Sequence, residues 1–237
     1  FGIMSIPVAI ERNFITRDAG LARMQTIVAF LKNTAKKFHG AFPHWLNGST
    51  GAAVPFSTKD NGADLVETSY LVAGLLTARQ YFNGAAAAET GLRNDINTIC
   101  NQVEWTWFQK NNGNVLYWHW SPDYGWDMNM PVRGWNEALI SYALAASSTT
   151  YPVTKAVYDS GWAQNGAMRN GNSYYNILLP LGGPMGGPLF FSHYSFLGID
   201  PFGLKDQYAD YQQQVVNHTK INFEYCKANP QNKFGYS

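Results

Sequence analysis

The longest nearly continuous run of apolar positions lies between Leu65 and Phe82, and three carboxylates precede or open it. Apolar residues would fall on nearly every side of a helix formed by this run, a pattern that indicates a helix buried all round. We therefore predict a buried helix here, at the centre of the fold. Its apolar positions are Leu65, Val66, Leu71, Val72, Leu75, Leu76, Tyr81 and Phe82.

The three carboxylates, Asp60, Asp64 and Glu67, follow one another at spacings of four and three residues. If the helix includes them, they share one face over its first two turns. One interpretation is structural: Asp60 caps the helix, and Asp64 and Glu67 interact with the positive end of the helix dipole. The other interpretation is functional: a substrate cleft above the start of the helix would need carboxyl groups at this position. The helix alone leaves both interpretations open.

Amphipathic patterns predict helices on either side of this element. Residues 1–13 read as a helix interrupted or delayed by Pro7, and Thr16 is placed to cap the next helix. Residues 92–107 and 207–228 each alternate apolar and polar positions with helical period, and a shorter segment covers 152–164. The second helix has its apolar stripe at Leu21, Met24, Ile27, Val28 and Leu31.

Aromatic, glycine-rich loops separate these helices, and no strand-rich alternation competes with them. The loops cover about 38–60, 108–135 and 176–206, and the second leads to an apolar helix with Glu137 in its first turn. Buried helices alternating with half-polar ones are typical of two concentric rings of helices. We therefore predict an all-α protein and an incomplete (α/α)6 toroid of about seven helices. Residues 1–237 would form part of one domain that lacks N-terminal and C-terminal portions.

The charge of the chain argues against several classes of partner. Charged residues make up 14%, the net charge is +1, and no basic run exceeds Lys36-Lys37, so nucleic acid and anionic membranes are not expected partners. No apolar stretch has membrane-spanning length. Cys100 and Cys226 are too few for a disulfide framework and have no metal-ligand spacing. We predict no metal and no cofactor.

Aromatic residues form 15% of the chain, and many stand beside Gly, Asn or Asp instead of inside helical patterns. Their flat faces suit stacking against sugars, although loop tryptophans could equally plug the ends of the helical barrel. His119 and His193 could bind sugar hydroxyls or be structural, and Arg133 could orient Glu137 through a bidentate pair. The candidates for substrate binding are Trp45, Trp118, His119, Trp120, Tyr124, Trp126, Arg133, His193 and Asp200.

Helices arranged around one axis would bring Asp60, Asp64, Glu67 and Glu137 to one rim. Hydrolysis of a glycosidic bond requires two carboxyl groups, one protonated and one ionised. Crowding several acids raises the pKa of one of them and supplies the proton donor at neutral pH. Asp64 and Glu67 resemble a pair of carboxyl groups whose protonation is coupled. Glu137 is the candidate for the carboxyl group on the opposite wall of the cleft.

Three segments resemble the bacterial glucoamylase-like (α/α)6 family, which includes endo-β-1,2-glucanases and exo-acting relatives that release sophorose. They are KDNGADLVETSYLVAGLLTARQYF, YWHWSPDYGWDMNMPVRGWNEALISYALAASS and FFSHYSFLGIDPFGLKDQYADY. The resemblance implies an inverting glycoside hydrolase acting on β-1,2-glucan and exported to the periplasm or secreted. It places the acidic pocket of the family at Asp60, Asp64, Glu67 and Glu137.

Two other functions stay open from the sequence. Polysaccharide lyases also use helical toroids, with a His/Tyr pair that abstracts a proton, and His193-Tyr194 supplies those residue types. A carbohydrate-binding remnant without turnover is the non-enzymatic alternative. In each case we expect an oligo- or polysaccharide partner and a monomer.

Overall fold

A computed structural model describes residues 1–233 and confirms that the protein is helical. The strands in this part of the chain are two residues long and form antiparallel pairs, β1 with β2, β3 with β4 and β5 with β6. The α-helices are α1 Gly2–Glu11, α2 Arg17–Asn33, α3 Leu65–Tyr81, α4 Ala87–Asn101, α5 Leu139–Ser147 and α6 Tyr211–Ala228. The strands are β1 Trp45–Leu46, β2 Ala53–Val54, β3 Ala63–Asp64, β4 His119–Trp120, β5 Ser173–Tyr174 and β6 Ile177–Leu178.

Helix α3 lies at the centre, as its apolar pattern predicts. It contacts α1 and α5 on its sides and α4 behind it. Its residues Leu65 and Val72 belong to one hydrophobic core, whereas Leu75 and Ala78 belong to a second. Both cores therefore depend on α3, and its position fixes the loop that precedes it.

The first five helices form two layers. Helices α1, α3 and α5 pack side by side, and α2 packs against α4 in a second layer. The outer helices are amphipathic: α4 buries Leu92, Ile96 and Ile99 and exposes polar residues between them. Ion pairs Arg17–Glu89 and Lys32–Asp95 join the two outer helices. Alternation of apolar and half-polar helices along the chain thus corresponds to alternation between layers.

Several predicted boundaries differ from the structure. Thr16 caps α2 as predicted, since its Oγ1 accepts a hydrogen bond of 3.2 Å from the Ala19 amide. The last helix begins at Tyr211 and not near 207, because Asp210 is the cap and accepts from the Gln213 amide. The segment predicted over 152–164 is a π-helical turn, Val157–Trp162. Among the described helices, none combines the length and apolarity needed to cross a membrane.

Candidate active site

The acids that precede α3 are not arranged as one helical face. The helix begins at Leu65, so Asp64 is its N-cap: Asp64 Oδ1 accepts a hydrogen bond of 3.0 Å from the Glu67 amide. The predictions that Asp60 caps the helix and that all three acids share its first turns are therefore wrong. Residues Ala63 and Asp64 are extended because they pair with β4, and this pairing delays the helix.

The pairing of β3 with β4 brings His119 next to two acids. Asp64 lies opposite His119 in the register. The His119 Nδ1 atom is 3.3 Å from Asp60 Oδ1 and 3.9 Å from Asp64 Oδ2. All three residues are buried, and within residues 1–233 the atoms Asp60 Oδ1 and His119 Nδ1 have no hydrogen-bond partner. The sequence predicted that His119 binds sugar hydroxyls or is structural, and its position between two buried acids fits the structural alternative.

A second histidine, which the sequence did not single out, also contacts Asp64. The His44 Nδ1 atom is 2.9 Å from Asp64 Oδ2. This hydrogen bond raises the pKa of His44, and burial opposes the shift. His44 directly precedes Trp45 in the loop that leads to the acids. This position was the signal in the sequence that could have identified His44 as a site residue.

Glu67 lies in the first turn of α3 and Glu137 in the turn that precedes α5, and the two carboxyl groups interact electrostatically. Burial raises the pKa of both carboxyl groups, and the charges of Asp64 and Glu137 raise the pKa of Glu67 further, whereas His44 lowers it. Glu137 lies in a turn before α5, and not in its first helical turn as predicted. The Tyr70 hydroxyl donates a hydrogen bond of 2.8 Å to the Glu137 carbonyl and holds this turn against α3.

An open cavity of about 340 Å³ adjoins Glu67 between α1, α2 and α3. Glu67 is the carboxylate in its wall, and the remaining wall is largely apolar. Tyr70 links this cavity to Glu137, and burial followed by the charges of Glu137 and Glu67 raises the pKa of its phenol. The other lining residues are Phe1, Gly2, Ile3, Ile27, Leu31, Leu71 and Gly74.

The aromatic candidates near the acids divide into two groups. Trp45 is 52% exposed and forms an edge-to-face pair with Phe56, which is equally exposed, at 5.1 Å between ring centroids. Trp118 is half-buried and stacks against His119 at 5.8 Å and 17°. These rings lie beside the acids. Phe56 was missed because its segment carries no periodic signal.

Trp120 and Trp126 fit the alternative in which aromatic side chains fill the end of the helical barrel. Both contact Trp107, at 6.2 and 6.3 Å between centroids. His39 also stacks on Trp107, at 3.7 Å between centroids, and meets Trp120 edge-on at 5.0 Å. Tyr124 is 40% exposed in the turn between Ser121 and Gly125.

Three of the predicted site residues do not meet the acids. Within residues 1–233 Arg133 forms no ion pair, so its predicted pairing with Glu137 is wrong; Gly134 has a φ of +76° and turns the chain between them. The His193 Nε2 atom is 2.9 Å from Thr219 Oγ1 on α6. Asp200 accepts a hydrogen bond from the Phe202 amide in its own loop.

The His193-Tyr194 pair that a lyase would use also diverges. Whereas His193 bonds to α6, the ring of Tyr194 packs edge-on against Tyr70 at 5.9 Å. The two side chains therefore contact different elements and do not lie together in one site.

One group of described residues could hold a metal ion. His44, Asp60 and Asp64 each offer a ligand atom, and these atoms lie within 4.8 Å of one another. The Nδ1 atom of His44 already bonds to Asp64, so two members of the group satisfy each other. Carboxylate and imidazole ligands together suit Zn²⁺ or a similar divalent ion.

Part of the chain matches the sequence model of a protein family, and the whole chain matches a curated relative. Residues 129–237 match the sequence model of the family described as "Putative glucoamylase". The whole chain is 45% identical to an exo β-1,2-glucooligosaccharide sophorohydrolase (non-reducing end) of Parabacteroides distasonis, of which it covers 35%. The chain therefore spans about a third of the length of that curated relative.

Solved structures match along the whole chain. An endo-β-1,2-glucanase from Chitinophaga pinensis, in complex with sophorotriose and glucose, is 50% identical with a TM-score of 0.96, and this chain covers 57% of it. A β-1,2-glucanase from Parabacteroides distasonis is 44% identical with a TM-score of 0.95, and 36% of it is covered. The resemblance noted in the sequence is confirmed: the glucoamylase-like family model matches residues 129–237, and the whole chain is similar to relatives named as β-1,2-glucan hydrolases.

Proposed function

We propose that this protein is a glycoside hydrolase that cleaves β-1,2-glucan with inversion at the anomeric carbon. The observation that carries the proposal is the pair Glu67 and Glu137, two carboxyl groups from α3 and from the turn before α5 whose pKa values are both raised. Relatives named as β-1,2-glucan hydrolases at 44–50% identity support the choice of substrate.

The proposed reaction divides its two roles between these carboxyl groups. The protonated one donates its proton to the glycosidic oxygen as the bond from that oxygen to the anomeric carbon breaks. The ionised one takes a proton from a water molecule, whose oxygen attacks the opposite face of the anomeric carbon. Because the charge of Glu137 raises the pKa of Glu67, protonation of Glu67 depends on whether Glu137 is ionised.

The aromatic rings beside the acids would bind the sugar units. Trp45 and Phe56 are half exposed beside His44, which contacts Asp64, and Trp118 stacks against His119. A glucosyl unit stacked on these faces would have its linkage near Glu67. This arrangement assigns Trp120 and Trp126 to packing.

The same proposal extends to the architecture and setting of the protein. Helices α1, α3 and α5 would belong to the inner ring of an (α/α)6 toroid and α2 and α4 to the outer ring, with residues 1–237 as part of one such domain. The two observed layers and the similarity to longer solved relatives support this arrangement. We further propose a monomer that is periplasmic or secreted.

The test is an assay on linear β-1,2-glucan with the wild type, Glu67→Gln and Glu137→Gln. We expect the wild type to release sophoro-oligosaccharides whose new reducing ends are first seen by NMR as the α-anomer. Each variant should lose on the order of 10²–10⁴-fold in kcat/KM. Glu224→Gln, on the exposed face of α6, is the control and should keep full activity.

Other outcomes would replace the proposal. Initial release of the β-anomer would contradict inversion, and full activity in either glutamine variant would remove that residue from the reaction. An unsaturated product detected by ultraviolet absorbance would indicate a lyase. Calorimetric binding of the glucan without new reducing ends would indicate a carbohydrate-binding module.

A further inference from the structure

We propose that His44 contacts the substrate through Nε2 and that Asp64 is its positioning residue, not an acid that exchanges protons with the sugar. The proposal rests on the proposed function and refines it, because it takes Asp64 out of the set of reacting carboxyl groups. It also brings in a residue from a different loop.

The first observation is that both oxygens of Asp64 already have partners inside the protein. Oδ1 accepts the Glu67 amide hydrogen at 3.0 Å, and Oδ2 faces His44 Nδ1 at 2.9 Å. The side chain of Asp64 is 0% exposed. A carboxylate in this position cannot reach a glycosidic oxygen or an attacking water without giving up the cap of α3. Its geometry suits a group that holds its neighbours in place.

The second observation concerns the hydrogen atoms of His44. An ionised carboxylate only accepts hydrogen bonds, so the Nδ1 atom of His44 carries the hydrogen in this pair. Asp64 therefore fixes both the orientation of the ring and the atom that faces outward. A carboxylate that orients an imidazole in this way is a recurrent feature of catalytic sites.

The third observation is that His44 Nε2 is free and reachable. Within residues 1–233 this atom has no protein hydrogen-bond partner. It is also not buried: the buried side-chain atoms without a partner in this part of the chain are Asp60 Oδ1, His119 Nδ1 and Trp162 Nε1. The side chain is 25% exposed. His119 differs, because its Nδ1 is buried against Asp60. We therefore assign His119 to holding Asp60 in place and not to contact with the substrate.

The surroundings of His44 fit a sugar. Its ring lies 4.3 Å from that of Phe56 and 5.7 Å from that of Trp45, measured between centroids, and both aromatic rings are about half exposed. A glucosyl ring stacked on Trp45 would place its hydroxyl groups near Nε2. The acidic groups that act on the imidazole are Asp64, Glu67 and Asp60, and all of them raise its pKa. Nε2 would form a hydrogen bond with a sugar hydroxyl, as the donor when the ring is protonated and as the acceptor when it is neutral.

His44→Asn tests the contact with the substrate. The amide of asparagine can replace the Nδ1 donor toward Asp64, but it has nothing at the position of Nε2. We expect kcat/KM on linear β-1,2-glucan to fall at least about 100-fold, with an unchanged unfolding temperature. His39→Asn is the matched control, since His39 pairs with Glu104 away from the acids and its positive φ suits asparagine.

Asp64→Asn tests positioning through the protonation of His44. In histidine-labelled protein, NMR should show that this substitution lowers the pKa of His44, and β-1,2-gluco-oligosaccharide should shift the Nε2 resonance of the wild type. An unchanged pKa would remove Asp64 as the positioning residue. If His44→Asn does not fold, the Nε2 resonance of the wild type decides: a signal unmoved by bound oligosaccharide overturns the contact.

The failure of this proposal differs from failure of the proposed function. If the wild type cleaves the glucan and His44→Asn does so equally well, His44 has no role and only the present inference is wrong. If the wild type neither binds nor cleaves β-1,2-glucan, the proposed function itself is wrong, and the role of His44 falls with it.

Discussion

The carboxyl group of Glu67 occupies a position that disfavours its own charge. Glu67 is exposed to an open cavity, but the neighbouring side chains still remove part of the water from its carboxyl group, which raises its pKa, and the charges of Asp64 and Glu137 add to the effect. A group whose pKa is higher in the folded state binds its proton more tightly there, so the free energy of unfolding decreases as the pH rises from the unfolded pKa through the folded pKa. Ionised Glu67 therefore destabilises the fold at neutral pH.

We predict that Glu67→Gln raises the unfolding temperature at pH about 7.5 while it removes activity. At pH about 3.5, below the ordinary pKa of a glutamate, the difference from the wild type should disappear. Thermal unfolding followed by circular dichroism at both pH values measures this. A lower unfolding temperature of the variant at pH about 7.5 would contradict the prediction.

Glu89→Gln provides a control of opposite sign. A hydrogen bond from the Gly84 amide and the pairing with Arg17 lower the pKa of Glu89. Its ionised form stabilises the fold above the unfolded pKa, and this contribution is lost as the pH falls. The glutamine variant should therefore unfold at a lower temperature than the wild type at pH about 7.5.

Residue types and spacing singled out the four acids, but they did not predict the contacts that each acid makes. Asp64 and Glu67 were expected to be a coupled pair in the pocket, whereas the structure shows Asp64 buried between His44 and the Glu67 amide. This contact depends on the path of the loop that holds His44. A single histidine in an irregular loop has no period from which its neighbours can be inferred.

At the scale of elements, the short pairing of β3 with β4 decides how the acids meet. Gly62, just before β3, lies so close to β4 that a Cβ atom would be 2.2 Å from the Trp120 carbonyl oxygen and 2.8 Å from Pro122 Cδ. Backbone and a proline ring cannot move aside cheaply. The glycine is therefore required for the contact that brings His119 to Asp60.

We predict that Gly62→Ala destabilises the protein by about 1–3 kcal/mol, the usual range for overpacking. It should also lower kcat/KM, because separation of the two strands moves Asp60 and Asp64 away from His119. Urea unfolding and the glucan assay measure the two effects. Wild-type values in both would show that the close approach is not needed.

Gly91→Ala is the matched control for this prediction. Gly91 lies within α4, and a Cβ atom there would meet nothing within 4 Å. Alanine favours the helical backbone over glycine by up to about 1 kcal/mol. The control should therefore be neutral or slightly stabilising and should leave activity unchanged.

Element patterns predicted the helices well and their beginnings less well. The apolar run located α3, because most of its apolar positions are buried, although the prediction of burial on every side is wrong: Glu67, Thr77 and Gln80 are exposed. The start at Leu65 could not be inferred, since it depends on β4, which is distant in sequence. Asn61-Gly62, a typical turn signal, was the local indication that the acids lie outside the helix.

For the whole molecule, alternation of apolar and half-polar helices corresponded to the two observed layers. Periodicity reports which face of a helix is buried, so it can assign helices to layers. It does not report the order of helices around a ring, which depends on the loops. The similarity to solved relatives over the whole chain supports the toroid as a proposal.

The charge of the whole molecule separates the proposed hydrolase from a lyase. The net charge is +1, and Lys59, the cation next to Asp60 in the sequence, pairs with Asp127 at 3.2 Å. A neutral glucan would be bound by stacking and hydrogen bonds, which salt screens little. A uronate polymer would depend on Coulomb attraction, which weakens as the screening length shortens with added salt.

We therefore predict that KM for β-1,2-glucan changes by less than about twofold between about 50 and about 500 mM NaCl. The unfolding temperature measured at both salt concentrations controls for effects on the fold itself. A rise in KM of about tenfold, with an unchanged unfolding temperature, would contradict the prediction, because stacking and hydrogen bonds to a neutral glucan depend little on screened charges. The charges of the site would then contribute to binding, and a uronate polymer would have to be compared with the glucan as a substrate.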